Sequence, residues 1–436
     1  MKKKKFFGLL AAMLTSASVL VACGAPTPAP EEEAYGGADA ETPAETVEVD
    51  GDFVQGITDD TVYIANSVAV SGGLAVVGVP FQAGMNAYIE MINSQGGVHG
   101  RMIEYIHIDD EFQPGPGMAA LDGFINDDEV FAIVGHFGTP VIGATFPKLV
   151  ETGIPTVYFA AGIGDVYNEN ATDGDGRNTF PVQPVFPMEG RLFAAWAAGE
   201  FGAETVGLIH TNDDAGRDFL RGVTQELETI NAAREAEGLD TIELTTAQVD
   251  PGEADVTAAV AAVIGSDVII AGSIQGTIAQ IVGGLAAQGN TAPVITSYVN
   301  ADITISQAVA PDVDGNFDLF ASSWVDMSRP EMELYREWVA KVSNEDFSYN
   351  SFAMTGWIAM HFFVEGLERA GENPTWANFI EAMEEAPIQN PFGPAIDFAN
   401  GSRVGTQDLA LIRHNSNEAV GWEFFLPFMN IDQILQ

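Results

Sequence analysis

One cysteine, two lysines after the first five residues, no membrane-spanning apolar run and no assembled catalytic motif bound this chain before anything present in it does. A single thiol cannot close an intramolecular disulfide, so the fold relies on its core and not on covalent staples. The first apolar stretch is shorter than the about 20 residues a spanning helix needs, and Thr15, Ser16 and Ser18 interrupt it. Neither GxSxG, a P-loop GxxxxGK[ST] nor a GxGxxG behind a strand occurs, because Gly72, Gly73 and Gly78 have the wrong spacing. His99, His107, His136, His210, His361 and His414 show no HExxH or other ligand spacing, and His107 and His210 read as packing residues. The run Asp109, Asp110 and Glu111 reads as a solvated loop after a strand rather than as a cation site. Catalysis, cofactor binding and metal binding therefore have no sequence support.

The one cysteine, Cys23, ends the run Leu20-Val21-Ala22-Cys23 behind Lys2 to Lys5 and the apolar Phe6 to Leu14. That arrangement resembles a bacterial lipoprotein signal, with a positive, an apolar and a small-residue region in order. It implies a signal over residues 1–22, diacylglycerol on the Cys23 sulfur, and an extracytoplasmic protein moored to the membrane by lipid alone. Removing the signal takes four of 17 basic side chains and no acidic ones, so 13 remain against 62, a net charge of −49. Such a surface repels nucleic acid and anionic lipid heads. A saline habitat and a lineage bias explain the acidity equally well. Residues 23–57, rich in Pro, Ala, Thr, Gly and acids, read as a disordered acidic tether.

Beyond the tether, 47% hydrophobic and 10% aromatic residues make the body globular, and about 414 residues suggest two or three domains. Short β-branched runs alternate with amphipathic stretches, which predicts α/β architecture with parallel sheets. Strands are expected at 61–69, 102–108, 130–134, 156–159, 205–210, 268–271 and 293–297. Helices are expected at 79–93, 118–126, 140–151, 187–201, 216–235 and 276–288. Helices then dominate 330–384, and strand-like runs return at 395–398, 408–412 and 421–425. Two successive βαβ series predict two doubly wound, Rossmann-like lobes whose strand carboxyl ends face a common cleft, where ligands of such sheets bind. Trp324, Trp338 and Trp357 read as core.

The segment from Asn93 to Arg101, with Gly96, Gly97, Val98 and Gly100, resembles the "IN-x-x-GG-V-x-G-R/K" turn of type I periplasmic binding proteins, the leucine/isoleucine/valine-binding family. Asp109-Asp110, the stretch from Ile133 to Pro140, Gly153-Ile154-Pro155, Gln183-Pro184 with Glu189-Gly190-Arg191, and Asn212-Asp213-Asp214 with Gly216 agree in the same order. The three glycines serve the helix-to-strand reversal, where positive φ is needed. Thr139 and Pro140 suit an N-cap and a first helical position, and a helix N-terminus also presents N–H groups to an anion.

The resemblance implies a type I periplasmic binding protein fold, two lobes joined by a three-stranded hinge, working as the substrate-binding lipoprotein of an ABC importer. The expected partners are a small-molecule solute and a membrane permease, with no nucleic acid, and the chain is expected to be a monomer. The implied ligand-binding residues are Thr139, Ala160, Ala161, Gly162, Asp213, Ile274, Gln275 and Tyr298. Asp213, with Asp214, reads more readily as a cap of the helix starting near Gly216. Tyr298 stands where leucine-binding relatives place the glutamate that pairs with the ligand ammonium. A tyrosine cannot neutralise a buried ammonium, so small amides, carboxylic acids and aromatic acids fit no worse than an amino acid. The same fold also serves ligand-sensing adaptors of membrane receptors. Chain crossings near Val182, Phe320 and Phe392 would give one lobe residues 58–182 plus 320–392 and the other 183–319 plus 393–436.

Overall fold

The computed structural model of the protein describes residues 54–171 and 176–436. Cys23, the signal-like segment and all but the last four residues of the expected tether lie outside them. Those last residues join the body: the Gln55 amide donates to Val130 O at 2.9 Å, and Ile57 bridges Val62.

The first series runs β1 (Thr61–Ser67), α1 (Ala75–Ser94), β2 (Met102–Ile108), α2 (Pro114–Asn126), β3 (Ala132–Phe137), α3 (Thr139–Thr152), β4 (Thr156–Ala160) and β5 (Thr179–Phe180). Its strands form one parallel sheet in the order β2-β1-β3-β4-β5. Every residue of β3 is buried, as expected of a strand covered on both faces by crossover helices. The turn after α1 takes positive φ at Gly96, Gly97 and Gly100, as the glycine pattern requires.

The second series runs α4 (Phe186–Gly199), β6 (Thr205–Thr211), α5 (Asp214–Ala236), β7 (Glu243–Val249), α6 (Thr257–Val263), β8 (Val268–Gly272), α7 (Ile278–Ala287), β9 (Val294–Thr296), α8 (Ile303–Val313) and β10 (Leu319–Ser323). After α9 (Glu331–Val342), α10 (Ser351–Ala370) and α11 (Trp376–Glu385), the chain adds β11 (Asp408–His414), β12 (Trp422–Asn430) and α12 (Ile431–Ile434). The second sheet is ordered β12-β11-β10-β9-β8-β6-β7. Its parallel part, β7-β6-β8-β9-β10, repeats the 2-1-3-4-5 winding of the first, and β11 and β12 extend it antiparallel. The fold is thus α/β with two doubly wound lobes.

Helices α9 to α11 return to the first lobe, where α10 packs on α1 with almost no space between backbones. A Cβ on Gly84 would sit 1.7 Å from Ala353 O, and one on Gly356 2.0 Å from Phe81 O. The second lobe repeats the device between α4 and α5: a Cβ on Gly222 would lie 2.0 Å from Pro187 O.

Three segments, 181–185, 324–330 and 386–407, carry the chain between lobes and bond to one another. Thr406 N donates to Val182 O at 2.8 Å and Asp326 N to Phe392 O at 2.6 Å. Beside them the fully buried Arg403 donates to Arg177 O at 2.6 Å and pairs with Glu384, which also holds Arg177. Phe320, where a crossing was expected, lies inside β10, and the chain leaves that sheet only after Ser323. The strand-like run at 395–398 forms a single bridge, Ile388 to Ile396, instead of a strand.

Candidate ligand-binding site

A cleft opens where the carboxyl ends of both sheets face each other, enclosing about 1080 Å³ of atom-free space counted out to solvent. In the first lobe the strand order reverses between β1 and β3, and the loops there supply the wall, as in other doubly wound sheets. That lobe contributes Phe81 of α1, Phe112, the β3 end through Thr139, the β4 end at Ala160 and Ala161, and Ser351, Phe352 and Thr355 of α10. The second lobe contributes Ile274, Gln275, Tyr298, Val299 and Ala301, and from the β11–β12 hairpin Trp422, Glu423 and Phe424. Gln183, Phe186, Ser323 and Trp324 close the hinge side.

Rings dominate this wall and the layer directly behind it, where Tyr158 is fully buried. Phe112 meets Phe137 at 6.5 Å, Phe137 meets Phe81 at 5.7 Å, and Phe81 meets Tyr158 at 6.0 Å. The series continues from Tyr158 to Trp324 at 6.4 Å, from Trp324 to Tyr298 at 6.3 Å, and from Tyr298 to Phe186 at 6.4 Å. Tyr158 itself carries a positive φ of 67° beside Gly135, which has 71° on the neighbouring strand. That conformation is costly for a tyrosine and is found where a site constrains the backbone. Its hydroxyl donates to Gln183 Oε1 at 2.7 Å.

Among the described residues, the polar side chains of the wall are almost all committed to the protein. The Tyr298 hydroxyl donates to Pro184 O at 3.1 Å, Ser323 Oγ to Val325 O at 2.9 Å and Thr355 Oγ1 to Phe352 O at 2.8 Å. Gln275 Nε2 donates to Val299 O, Ser351 Oγ to Asp302 at 2.8 Å, and Trp422 Nε1 to Asp302 O at 3.4 Å. Glu423 is taken by Arg413 and Asn415. Two side chains make no hydrogen bond to the protein, Thr139 and Trp324, which are 7% and 1% exposed. Neither the Thr139 hydroxyl nor the Trp324 indole nitrogen is among the sealed, unpartnered atoms, so the exposure that remains includes them.

Thr139 was expected to cap α3. Instead Gly138 is the N-cap residue, at φ 93°, and Thr139 opens the helix with Pro140 behind it, without any side-chain cap bond. Glycine is required at 138 twice over, by the positive φ and because a Cβ would sit 2.7 Å from the Phe112 ring. Capping therefore falls to a residue without a side chain, and the Thr139 hydroxyl is left for the cleft.

Of the eight residues named from sequence, Thr139, Ala160, Ala161, Ile274, Gln275 and Tyr298 line the cleft together. Gly162 and Asp213 do not. Gly162 is covered by Phe186, whose ring would lie 2.6 Å from any Cβ there and whose N–H donates to Gly162 O at 2.6 Å. Asp213 caps α5, accepting from Gly216 N at 2.8 Å and Thr211 Oγ1 at 2.7 Å. Trp324, read from sequence as core, is both core and wall. A signal for it existed: it stands one residue past a strand end, the position at which doubly wound sheets present ligand contacts.

Three buried carboxyls of the second lobe surround the cleft without lining it. Glu189, in the first turn of α4, accepts from Ser297 Oγ at 2.7 Å, from Tyr298 N at 3.1 Å and from Ser322 Oγ. Burial pushes its carboxyl up to about 7, against the three hydrogen bonds that favour the charged form. Asp302 spans the lobes: Oδ1 caps α8 through Thr304 N at 2.8 Å, and Oδ2 accepts Ser351 N at 2.7 Å and Ser351 Oγ at 2.8 Å at the start of α10. Asp218 of α5 likewise accepts Gly164 N of the first lobe at 2.8 Å. The acidic loop after β2, expected to be solvated, places Asp110 in full burial, where it accepts Phe112 N at 2.9 Å. That bond fixes the loop carrying Phe112, which a solvated loop could not hold against the wall. Among the described residues no cluster is arranged to hold a metal ion, and no helix is long and apolar enough to cross a membrane.

Comparison with known proteins agrees with this geometry. Leu/Ile/Val-binding protein homolog 1 of Brucella suis is 23% identical over 334 residues, covering 76% of this chain and 85% of that protein. A fatty acid ABC transporter substrate-binding protein from Thermomonospora curvata superposes with a TM-score of 0.70 at 19% identity, over 86% of this chain and 94% of that one. A solute-binding protein of an R. palustris ABC transporter, solved in complex with benzoate, gives 0.68 at 17% identity, over 85% and 98%. These structures share the fold. The family model for periplasmic binding proteins matches residues 61–419, and the chain belongs to that family, with the type I, Leu/Ile/Val-binding-protein-like architecture.

Proposed function

We propose that the protein is the extracytoplasmic, lipid-anchored substrate-binding subunit of an ABC importer, which captures a small organic solute between its lobes and presents the liganded form to a membrane permease. The observation that carries this reading is the inter-lobe cleft itself, walled by both lobes and by the hinge, with an uncommitted hydroxyl at Thr139. Relatives with this architecture include a protein solved with benzoate and one named for fatty acids, and the Brucella relative is named for branched-chain amino acids. In this reading Cys23 carries the lipid and residues 23–57 act as a tether. Residues 58–182 plus 320–392 and 183–319 plus 393–436 form the two lobes, give or take the few residues by which sheet membership shifts the second crossing.

Thr139 is the anchor for the solute's polar head, with Ala160, Ala161, Ile274, Gln275 and Tyr298 around it. The reading is capture without turnover: the carboxylate that holds the wall hydroxyl of Ser351, Asp302, is tied up by the Thr304 and Ser351 N–H groups as a cap between helices. Lipid on the chain and a permease in the membrane make docking effectively intramolecular, which raises the local concentration of receptor. A thermal-shift screen of amino acids, amides, carboxylates and aromatic acids tests the proposal, since a binder of the native state raises the melting temperature. Thr139→Ala is expected to weaken the best hit about tenfold, the worth of one buried hydrogen bond. Failure of every solute in the screen sinks the receptor reading, and unchanged affinity in the variant removes Thr139 from the site.

A further inference from the structure

We infer that the solute is an ammonium-free molecule with a compact, ring-bearing or branched apolar body and a single acceptor head of carboxylate or carboxamide kind, held by the Thr139 hydroxyl and the Trp324 indole N–H. This rests on the reading of the cleft as a solute site and sharpens it to a chemical class.

The two uncommitted side chains decide the head. An indole N–H donates and cannot accept, so whatever meets Trp324 presents a lone pair. A threonine hydroxyl can donate too, and Thr139 stands at the N-terminus of the 14-residue α3, where backbone N–H groups and the helix dipole favour an acceptor or an anion over a cation. Both side chains are more than nine-tenths buried, and a buried polar group left unpaired is costly. A solute with acceptors at its head satisfies both.

Among its described residues the wall offers an ammonium no free carboxylate. Among the described residues of the wall the one acid is Glu423, already taken by Arg413 and Asn415. Behind the wall, Glu189 is turned to Ser297, Ser322 and the Tyr298 backbone and Asp302 to Thr304 and Ser351, and the Tyr298 hydroxyl spends its proton on Pro184 O. A cation placed here would lose its hydration without a counter-charge. The ring faces of Tyr298 and Trp324 offset that loss only in part. The remaining wall, phenylalanine and aliphatic, selects an apolar body by area.

The test uses solutes matched in body and differing in head, titrated onto the full chain: 3-phenylpropanoate, 3-phenylpropanamide and phenylalanine, and 4-methylpentanoate, its amide and leucine. The expected result is that the acid or the amide of a set binds at least tenfold tighter than the matching amino acid. An amino acid that binds as tightly as its acid overturns the inference. If neither set binds while another solute of the wider screen does, the class is wrong and the receptor reading survives; if nothing binds, both fall. Trp324→Phe keeps a ring and deletes the N–H, and should weaken the acid about tenfold when titrated well below the variant's own melting temperature, which loss of a buried ring lowers. Unchanged affinity there removes Trp324 from the head. Should the variant fold poorly, the matched sets on the natural chain decide the class.

Discussion

The two lobes wind their strands in the same 2-1-3-4-5 order, yet they present different chemistry to the cleft. The first brings an uncommitted hydroxyl, a helix N-terminus and most of the phenylalanines. The second brings committed groups: its Gln275 and Tyr298 are bonded to backbone, and its buried carboxyls Glu189, Asp218 and Asp302 face hydroxyl and N–H donors, two of them across the lobe boundary. In the proposed function the same architecture serves two jobs, with one lobe reading the solute and the other closing on it. Each way of breaking this division has its own signature.

The largest effect is expected where the lobes are alike. Both cross two helices at backbone contact through glycines, so Gly84→Ala in the first and Gly222→Ala in the second each drive a methyl to within about 2 Å of a carbonyl oxygen. The helices must separate, and overpacking of this kind costs about 3 kcal/mol or more. Denaturant titration should show comparable losses in both. A loss in one lobe alone would mean that the shared crossing is structural in only that lobe.

Glu189 comes next and belongs to the second lobe alone. Its folded-state value is raised above that of an unfolded glutamate, to about 7. The native state therefore holds the proton more tightly between roughly pH 4.5 and 7. Stability falls as pH rises through that window, and the full penalty, roughly 3 kcal/mol by linkage, is present above it. Glu189→Gln removes the titration, and the serine hydroxyls can rotate to meet the amide. The variant should gain on the natural protein as pH rises from 5 to 8, read as the difference between their melting temperatures. A difference independent of pH would show that Glu189 does not titrate there. A change in preference between acid and amino acid would show that it faces the solute after all.

Much of the architecture is legible from residue patterns, and the failures share a cause. β2 lies at Met102–Ile108 as expected, and β3, β4, β6, β8 and β9 differ from expectation only by a few residues at their ends. β7 escapes because Glu243–Val249 is an edge strand, exposed along most of its length, with no apolar alternation to betray it. β10 escapes because a crossing was expected within it, and the two-residue β5 is too short to carry a pattern. At the site, order along the chain points to the strand ends, so six of the eight named residues reach the cleft. What sequence cannot carry is commitment: whether Thr139 caps, whether Tyr298 spends its hydroxyl, whether Trp324 has a partner. Those depend on residues far along the chain, as Asp302 and Ser351, 49 positions apart, illustrate.

That pair gives the smallest expected effect and the finest test of the division of labour. One carboxylate of the second lobe caps α8 with Oδ1 and receives the first N–H and hydroxyl of α10 with Oδ2, so its two halves can be separated. Asp302→Asn keeps an oxygen for Thr304 but turns an NH₂ group toward two donors at Ser351. The inter-lobe contact is lost while the α8 cap remains. If this contact favours the closed arrangement, apparent affinity falls by the fraction of molecules that leave it, about fivefold for a contact worth about 1 kcal/mol. The change should appear mainly in the dissociation rate, because association meets the open cleft. Thr304→Ala touches only the α8 side and should lower the melting temperature slightly without altering affinity. Equal affinity losses in the two variants would assign the effect to a loosened α8, and no loss in Asp302→Asn would leave closure to the hinge and the solute.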